Sequence, residues 1–354
     1  MSDAMLTDSA ARLFRDLCTR EVTEAAEAGT WPRELWNALT DTGLAAAAQS
    51  DTGVGTVDLC ALARVLGAYA APVPLVETWL AQRMLAAANL SAVDGALTIG
   101  PVLRRDNLKL ERASGGWRLS GSLKRIPWGR DAETLVLIAD ADDGARTVVV
   151  KKPQGWTHDW SYAREPRDAV RFDRLPVSEE DTGKGWNRSE LFFNGALFRT
   201  QSMAGAMERA LELTVAYAKE RVQFGRLIGK FQAVQQQISA MASQVAAGSA
   251  VAQSAAEANA ERLARFEIAA AKARIGEAVA VVAGVAHQVH AAMGFTHEHT
   301  LHRSTRRLWA WRDEFGTETE WQAWVGRVAA QLGGEGLWRY VVAASKPDMG
   351  AALP

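Results

Sequence analysis

Apolar positions recur at spacings of three and four over the first ninety residues. Leu13, Phe14 and Leu17 form one such set, after Asp8 or Ser9, either of which can cap a helix. T-W-P-R-E-L-W opens another, with Thr30 or Trp31 ahead of Pro32 in a first-turn position. Pro72 and Pro74 then separate a helix ending near Ala70 from one starting near Leu75. Beyond Val93 the period drops to two. L-K-L-E-R and W-R-L-S-G-S-L-K-R-I alternate on either side of A-S-G-G, and T-L-V-L-I-A-D and R-T-V-V-V-K-K do so on either side of A-D-D-G-A. This pattern predicts antiparallel strands joined by tight turns, in a small barrel or sandwich. From Ser189 the helical period returns in alanine-rich stretches such as Phe231 to Leu263, which have high helix propensity and allow close packing. The expected fold class is therefore α+β, mainly α. An N-terminal helical domain covers 1–92, a middle β domain 93–187 and a C-terminal helical bundle 188–354.

Composition narrows the function classes. With 48% hydrophobic and 23% charged residues the chain reads as an ordinary soluble protein, and a formal net charge of -1 implies no pull toward nucleic acid or an anionic membrane. The apolar run from Ala278 to Ala286 is too short to span a bilayer. The start, M-S-D-A-M-L-T-D, lacks the basic and apolar regions of a secretory signal, so a cytoplasmic location is expected. Cys18 and Cys60 are too few for a disulfide framework or a zinc knuckle.

The most informative stretch is E-R-V-Q-F-G-R-L-I-G-K-F-Q, Glu220 to Gln232. Taken alone it is a helix end, a glycine turn and the next helix, with Arg221 a surface charge and Phe224 a core residue. It also resembles the R-x-x-F-G-x-x-I-x-x-F-Q signature of acyl-CoA dehydrogenases. G-W-R-L-S-G-S-L-K-R-I-P-W-G-R-D-A-E is similar to the middle β domain of that family, and A-H-Q-V-H-A-A-M-G-F-T-H-E-H to its Q-x-x-G-G-x-G-[FY]-T-x-E segment. The resemblance implies an α–β–α fold ending in a four-helix bundle, with FAD shared between subunits. It places Arg221 on the FAD pyrophosphate of a neighbouring subunit, where a guanidinium fork suits two phosphates. Gln223, Phe224 and Gln288 fall beside the same ADP moiety, and Thr317 of D-E-F-G-T is a further cofactor position. Ala291 and Ala292 stand where the family has two glycines.

The same resemblance exposes losses. The family's base, the glutamate of E-G-T, takes the α-proton of the acyl-CoA and must lie within hydrogen-bond reach of it. Counted from Gly294–Phe295, that place is held by Phe315, and Glu314 sits one residue earlier. One residue turns a helical side chain by about 100°. The alternative base position of the family, counted back from Arg221, is Gly195. Arg125 and Pro127 replace the W-x-T that contacts the flavin, and proline supplies neither an N–H nor a hydroxyl. The family's T-E-P-x-x-G-S-D loop has no counterpart. The ADP half-site is kept and the flavin and base half-site is lost. This is similar to one subunit of heteromeric acyl-CoA dehydrogenases, known for bulky thioesters such as steroid side chains, whose partner bears the base. The expectation is a subunit acting on an acyl-CoA together with a second acyl-CoA dehydrogenase-like chain, with an electron-transfer flavoprotein as possible acceptor. A self-contained enzyme using Glu314, and a scaffold of the same fold without cofactor, are the alternatives.

Five of the six histidines fall between His287 and His302. A metal site built from His297, Glu298, His299 and His302 is not expected, because positions i and i+2 of a helix diverge and Leu301 occupies the fourth place after His297. A polar loop beside a subunit interface is the favoured role. R-S-T-R-R, Arg303 to Arg307, is expected to be a solvated helix face pairing with Asp313 and Glu314 rather than a phosphate site. Trp309, Trp311, Trp321 and Trp324 are expected in the core or at an interface.

Overall fold

The computed structural model describes residues 3–260 and 262–343. Residues 344–354, included in the last expected domain, lie outside the described residues. The chain divides into two compact units, Met1–Gly195 and Ala196–Pro354.

The first unit begins with five helices: α1 (Asp3–Leu17), α2 (Arg20–Glu27), α3 (Arg33–Asp41), α4 (Thr56–Tyr69) and α5 (Leu75–Ala87). α1 starts well before Asp8, so Asp8 and Ser9 lie inside the helix rather than capping it. Pro32 is the N-cap of α3, one position earlier than its preference for the first turn predicts. α4 ends where the prolines require. Ala70 takes a left-handed conformation (φ 51°, ψ 39°) and turns the chain into Pro72 and Pro74, and α5 resumes at Leu75. α5 is the core helix of this unit, with Trp79, Leu80, Ala81 and Met84 fully buried. Its polar side chains are spent on backbone: Trp79 Nε1 donates to Leu44 O at 2.9 Å, and the Thr78 hydroxyl accepts from Leu97 N at 3.1 Å.

Seven strands follow: β1 (Leu97–Gly100), β2 (Asn107–Ala113), β3 (Gly116–Pro127), β4 (Thr134–Ala141), β5 (Gly144–Lys151), β6 (Arg167–Val177) and β7 (Thr182–Gly183). They form one sheet in the order β6-β3-β2-β4-β5-β7, with β1 also paired to β4. The β2–β3 and β4–β5 hairpins are antiparallel, as their turns predict. The sheet as a whole is mixed, which corrects the all-antiparallel expectation. β1 runs parallel to β4 from Leu97↔Thr134 to Gly100↔Leu137, and β2 meets β4 in parallel at Lys109↔Asp140. β1 has no alternation to reveal it because all four of its residues are buried. Fully buried Asp168 ties β6 to the turn after β3, taking a bidentate ion pair from Arg130 and the Arg130 amide at 2.8 Å.

α6 (Arg188–Glu220) leads into the second unit, which continues with β8 (Val222–Gln223), β9 (Arg226–Leu227), α7 (Gln232–Ala258), α8 (Arg265–His290), α9 (Leu301–Arg312) and α10 (Glu318–Ala343). α10 is kinked at Gly333 (φ 66°, ψ 171°). Small residues set the helix packing. A Cβ on Gly248 of α7 would lie 2.6 Å from Met207 Cε of α6 and 3.2 Å from Ile275 Cγ1 of α8. A Cβ on Gly276 of α8 would lie 2.8 Å from Glu318 Cβ of α10. α8 and the turn after it, Arg265–Phe295, are long and apolar enough to cross a bilayer, which the shorter run Ala278–Ala286 concealed. Its buried Ile268, Ile275, Val279 and Val282, packed among α7 and α10, are those of a core helix.

Candidate functional site

Arg221 links the end of α6 to a β-hairpin with a two-residue turn. Val222 pairs with Leu227 and Gln223 with Arg226, while the two turn residues, Phe224 (φ 51°) and Gly225 (φ 76°), are both left-handed. That is the type I′ geometry whose twist matches a hairpin, and Gly225 is what makes it inexpensive. The hairpin is seated by Ile228, which is buried with Ala218 of α6 and Val289 of α8 and flanked by Tyr217, Phe231, Val234 and Val285. The anchored side faces inward and the motif side faces out: Arg221, Val222 and Gln223 are exposed, and Phe224 is 91% exposed. Phe224 is thus no core residue. Its ring meets Phe231 edge-on at 6.2 Å, and Arg226 lies 4.0 Å over the Phe231 ring. Among the described residues no side-chain partner holds the Arg221 guanidinium, so its donors are available to an anion.

Gln288 is exposed on α8, beside the Val285 and Val289 face that seats the hairpin. Val281, Gly284 and Gln288 share one solvent-facing stripe. The helix ends at Ala291, which adopts φ 50°, ψ -138°, a region in which a Cβ is strained. Ala291 stands at a family glycine position and keeps the backbone that glycine favours. Ala291→Gly is expected to raise stability by about 1 kcal/mol, the relief of strain exceeding the added freedom of the unfolded chain. Urea unfolding of the two proteins checks this, and a destabilised variant would show that alanine is at ease there.

The turn with Glu314, Phe315 and Thr317 lies toward the other end of α8. Phe315 is 2% exposed and left-handed (φ 54°), and its carbonyl accepts from Trp321 Nε1 at 3.0 Å. Glu314 forms an ion pair with Arg199 of α6 at 2.8 Å, and the guanidinium is almost fully buried, 5.3 Å over the Trp311 ring. Fully buried Lys272 of α8 donates to the carbonyls of Arg312 (2.6 Å), Gly316 (3.2 Å) and Trp311 (3.4 Å), closing the C-terminal end of α9. Burial lowers the Lys272 ammonium to about 7, against the opposing pull of Glu314 and Asp313. Thr317 caps α10: Glu320 accepts from its amide at 2.7 Å and from its hydroxyl at 3.1 Å, in a capping box. Lys272 and Gln288 are sixteen positions apart, so about 24 Å of helix separates the two groups of candidates. Arg221, Gln223, Phe224 and Gln288 gather around one cluster. Glu314, Phe315 and Thr317 gather around another.

Gly195 is buried within α6, with no side chain to act. Arg125 sits in an irregularity of the β3–β6 ladder between Leu123 and Ile126, with φ 55°, and the Pro127 carbonyl accepts from the Thr98 hydroxyl. Arg303 and Arg307 are buried (7% and 1% exposed), not a solvated face, because α9 turns both inward at i and i+4. Trp311 and Trp321 are buried as expected, whereas Trp309 is 39% exposed beneath the Arg312 guanidinium. His297 and His299 lie in a turn rather than on a helix. Among the described residues no group of three histidine, cysteine or carboxylate side chains is placed to hold a metal.

Arg199 and Lys272 escape a motif search. Their signal is a cation set among apolar residues of a helical run, Arg199 in L-F-F-N-G-A-L-F-R-T-Q and Lys272 in I-A-A-A-K-A-R-I, where a buried charge must find a partner inside the fold.

This arrangement of helices, sheet and helices is the acyl-CoA dehydrogenase fold. Residues 183–335 match the family model described as acyl-CoA dehydrogenase, C-terminal domain, which agrees with the resemblance read from the motifs of that segment. The chain superposes on a chain of the ChsE4-ChsE5 complex from Mycobacterium tuberculosis with a TM-score of 0.87 and 24% identity, covering 94% of this chain and 99% of that one. It superposes on butyryl-CoA dehydrogenase from Megasphaera elsdenii with a TM-score of 0.79 and 19% identity, covering 93% and 98%. These two likenesses carry the fold alone. In sequence, acyl-CoA dehydrogenase FadE27 of Mycobacterium tuberculosis is 27% identical over 242 residues, 58% of this chain and 61% of that protein. Acyl-CoA dehydrogenase IpdE2 of the same organism is 38% identical over 112 residues, 32% and 34% of the two chains. The matched segments thus span less than two thirds of either relative.

Proposed function

We propose that this chain is one subunit of an FAD-dependent acyl-CoA dehydrogenase that desaturates an acyl-CoA thioester between the α and β carbons. Its role is to present Arg221, Gln223, Phe224 and Gln288 to the ADP part of an FAD whose flavin and catalytic base belong to a second, acyl-CoA dehydrogenase-like chain. The observation that carries this reading is the state of the turn at Glu314 and Phe315. Phe315, at the position that the resemblance gives to the base, is a buried ring, and the carboxylate next to it is committed to Arg199. A carboxylate held by a buried guanidinium is a poor proton acceptor.

The residues present fit half of the cofactor. An exposed guanidinium and glutamine around an exposed aromatic ring suit a pyrophosphate and an adenosine. Pro127, whose carbonyl is already engaged by Thr98, offers nothing to a flavin ring. When bound, FAD supplies the hydride acceptor for the β-carbon. This chain's residues then bind and orient the dinucleotide, and the α-proton is taken by a carboxylate of the partner. The chain shares its fold with a chain of the ChsE4-ChsE5 complex, which supports a second, unlike chain as partner. An electron-transfer flavoprotein is the proposed acceptor, and the cytoplasm the proposed location.

Purified alone, the chain is expected to be colourless. Co-expression with an E-G-T-bearing homologue is expected to give a yellow complex that reduces an electron acceptor in the presence of an acyl-CoA. An isolated chain that retained full FAD and oxidised acyl-CoAs unaided would overturn the two-chain reading.

A further inference from the structure

The histidines that a metal site does not use are brought together in another way. His290 of α8 is almost fully buried, stacked on Tyr217 of α6 (ring centroids 4.4 Å apart) and met edge-on by His299 at 4.5 Å. Its Nδ1 bonds the Ala286 carbonyl at 2.8 Å, and Nδ1 must be the donor because a carbonyl only accepts. Nε2 is therefore the bare nitrogen, and it is buried with no hydrogen-bond partner. His287 repeats the arrangement. Nε2 bonds the Thr305 hydroxyl of α9 at 2.9 Å, Nδ1 is buried without a partner, and the ring stacks on Phe295 at 4.3 Å. His299 Nδ1 accepts from Leu301 N at 3.1 Å, and His302 Nδ1 bonds the His299 carbonyl at 2.8 Å. Four imidazoles thus pin residues 291–300 to α6, α8 and α9, and three of them, His287, His290 and His299, are built for the neutral form.

We propose that His287, His290, His299 and His302 form an acid-opened clasp that holds the 291–300 turn when neutral and releases it when protonated. Protonating His290 places an N–H where no acceptor waits and a charge 4.5 Å from His299. A proton on His287 meets the same lack at Nδ1. Among the titratable and charged groups around the cluster are Tyr217 and Arg209 of α6, His297 (5.3 Å from His302) and Glu298 of the turn itself, Arg303 next to His302 on α9, and the four histidines. The ring faces of Tyr217 on His290 and Phe295 on His287 favour a cation. Arg209 opposes it. Burial foremost, and then the neighbouring imidazoles, hold His287, His290 and His299 below the ordinary histidine value of 6.5. A folded value below the unfolded one means that the unfolded segment binds more protons, so the clasp loses stability as pH falls below 6.5. On the FAD reading above, on which this consequence rests, opening withdraws the edge between Gln288 and Phe295 from the dinucleotide.

Hydrogen exchange of the full chain, followed by mass spectrometry and corrected for the intrinsic effect of pH, tests the clasp. Between about pH 7.5 and about pH 5.5 the amides of 291–300 are expected to lose protection about tenfold or more, while those of β3 and β4 keep theirs. His290→Phe retains a ring on Tyr217 and cannot be protonated, and it is expected to flatten the response. His299→Asn, which keeps an acceptor for the Leu301 amide, is expected to do the same, so the test survives if one variant folds poorly. A pH-independent turn, an undiminished response in both variants, or loss of protection throughout the second unit would overturn the proposal. A complex without flavin would remove the FAD reading and leave the exchange result to decide the clasp by itself.

Discussion

In the complex with its partner chain, Arg221→Glu is expected to release FAD. The guanidinium lies at the mouth of the hairpin, exposed and with no side-chain partner among the described residues, so its loss harms nothing in this chain. Against a pyrophosphate the same change removes a two-pronged, charge-assisted contact and adds repulsion. The cost is about 2–5 kcal/mol, a weakening of about thirtyfold to several thousandfold. Arg221→Lys is expected to recover only part of it, because an ammonium cannot form the fork. Flavin absorbance per complex after gel filtration measures the effect, and the melting midpoint of the isolated chain is expected to stay within about 1 °C, since surface substitutions of this kind are nearly neutral. Full flavin content in Arg221→Glu would take this residue out of the cofactor site.

Arg199→Met is expected to lower the stability of the chain by about 3 kcal/mol. Arg199 is 3% exposed and its partner Glu314 12% in their side chains, so the variant leaves a carboxylate with little access to water. Breaking one side of a buried pair costs about 3–5 kcal/mol, and the lower end applies because losing Arg199 removes a charge that opposes protonation of Lys272, which then offers Glu314 a positive neighbour. For a unit of this size that is a fall in melting midpoint of about 6–12 °C. Adding Glu314→Leu to Arg199→Met is expected to restore most of the loss, because the charge that had no partner is then gone. If the double variant were no better than the single one, the arginine would be acting through packing on Trp311 instead. The same pair bears on chemistry. If Glu314 were the base of a self-contained enzyme, Glu314→Gln would abolish turnover in the isolated chain, whereas a structural Glu314 predicts that the isolated chain has no turnover to lose.

How much of this was legible beforehand depended on how local the cause was. The breaks at Pro72 and Pro74 were readable because proline acts on its own dihedral and its own hydrogen bond, and α4 and α5 end and begin accordingly. The hairpin β2–β3 was readable from alternation and turn glycines; β4–β5, whose strands prove to be continuous buried runs without alternation, was readable from the A-D-D-G-A turn between them. β1 was not, since a short strand buried on both faces carries no period, and its parallel pairing with β4 is a long-range event. Asp8 and Ser9 misled in the other direction. They are good caps, but α1 had already begun, and helix propagation outweighed the side chains.

The sequence by itself determined the order of helices and strands, the hairpin motif at Arg221 and the place of Glu314 directly before Phe315. These follow from residue identity and counting. Only the tertiary structure decided what the charged residues do. It turned Arg303 and Arg307 inward, joined Glu314 to Arg199 across 115 positions of chain, set Lys272 against the end of α9, and stacked His290 between Tyr217 and His299. The physical reason is that an ionisable group is cheap in water and costly inside, so its role depends on burial and on partners far away in sequence. No local pattern records either.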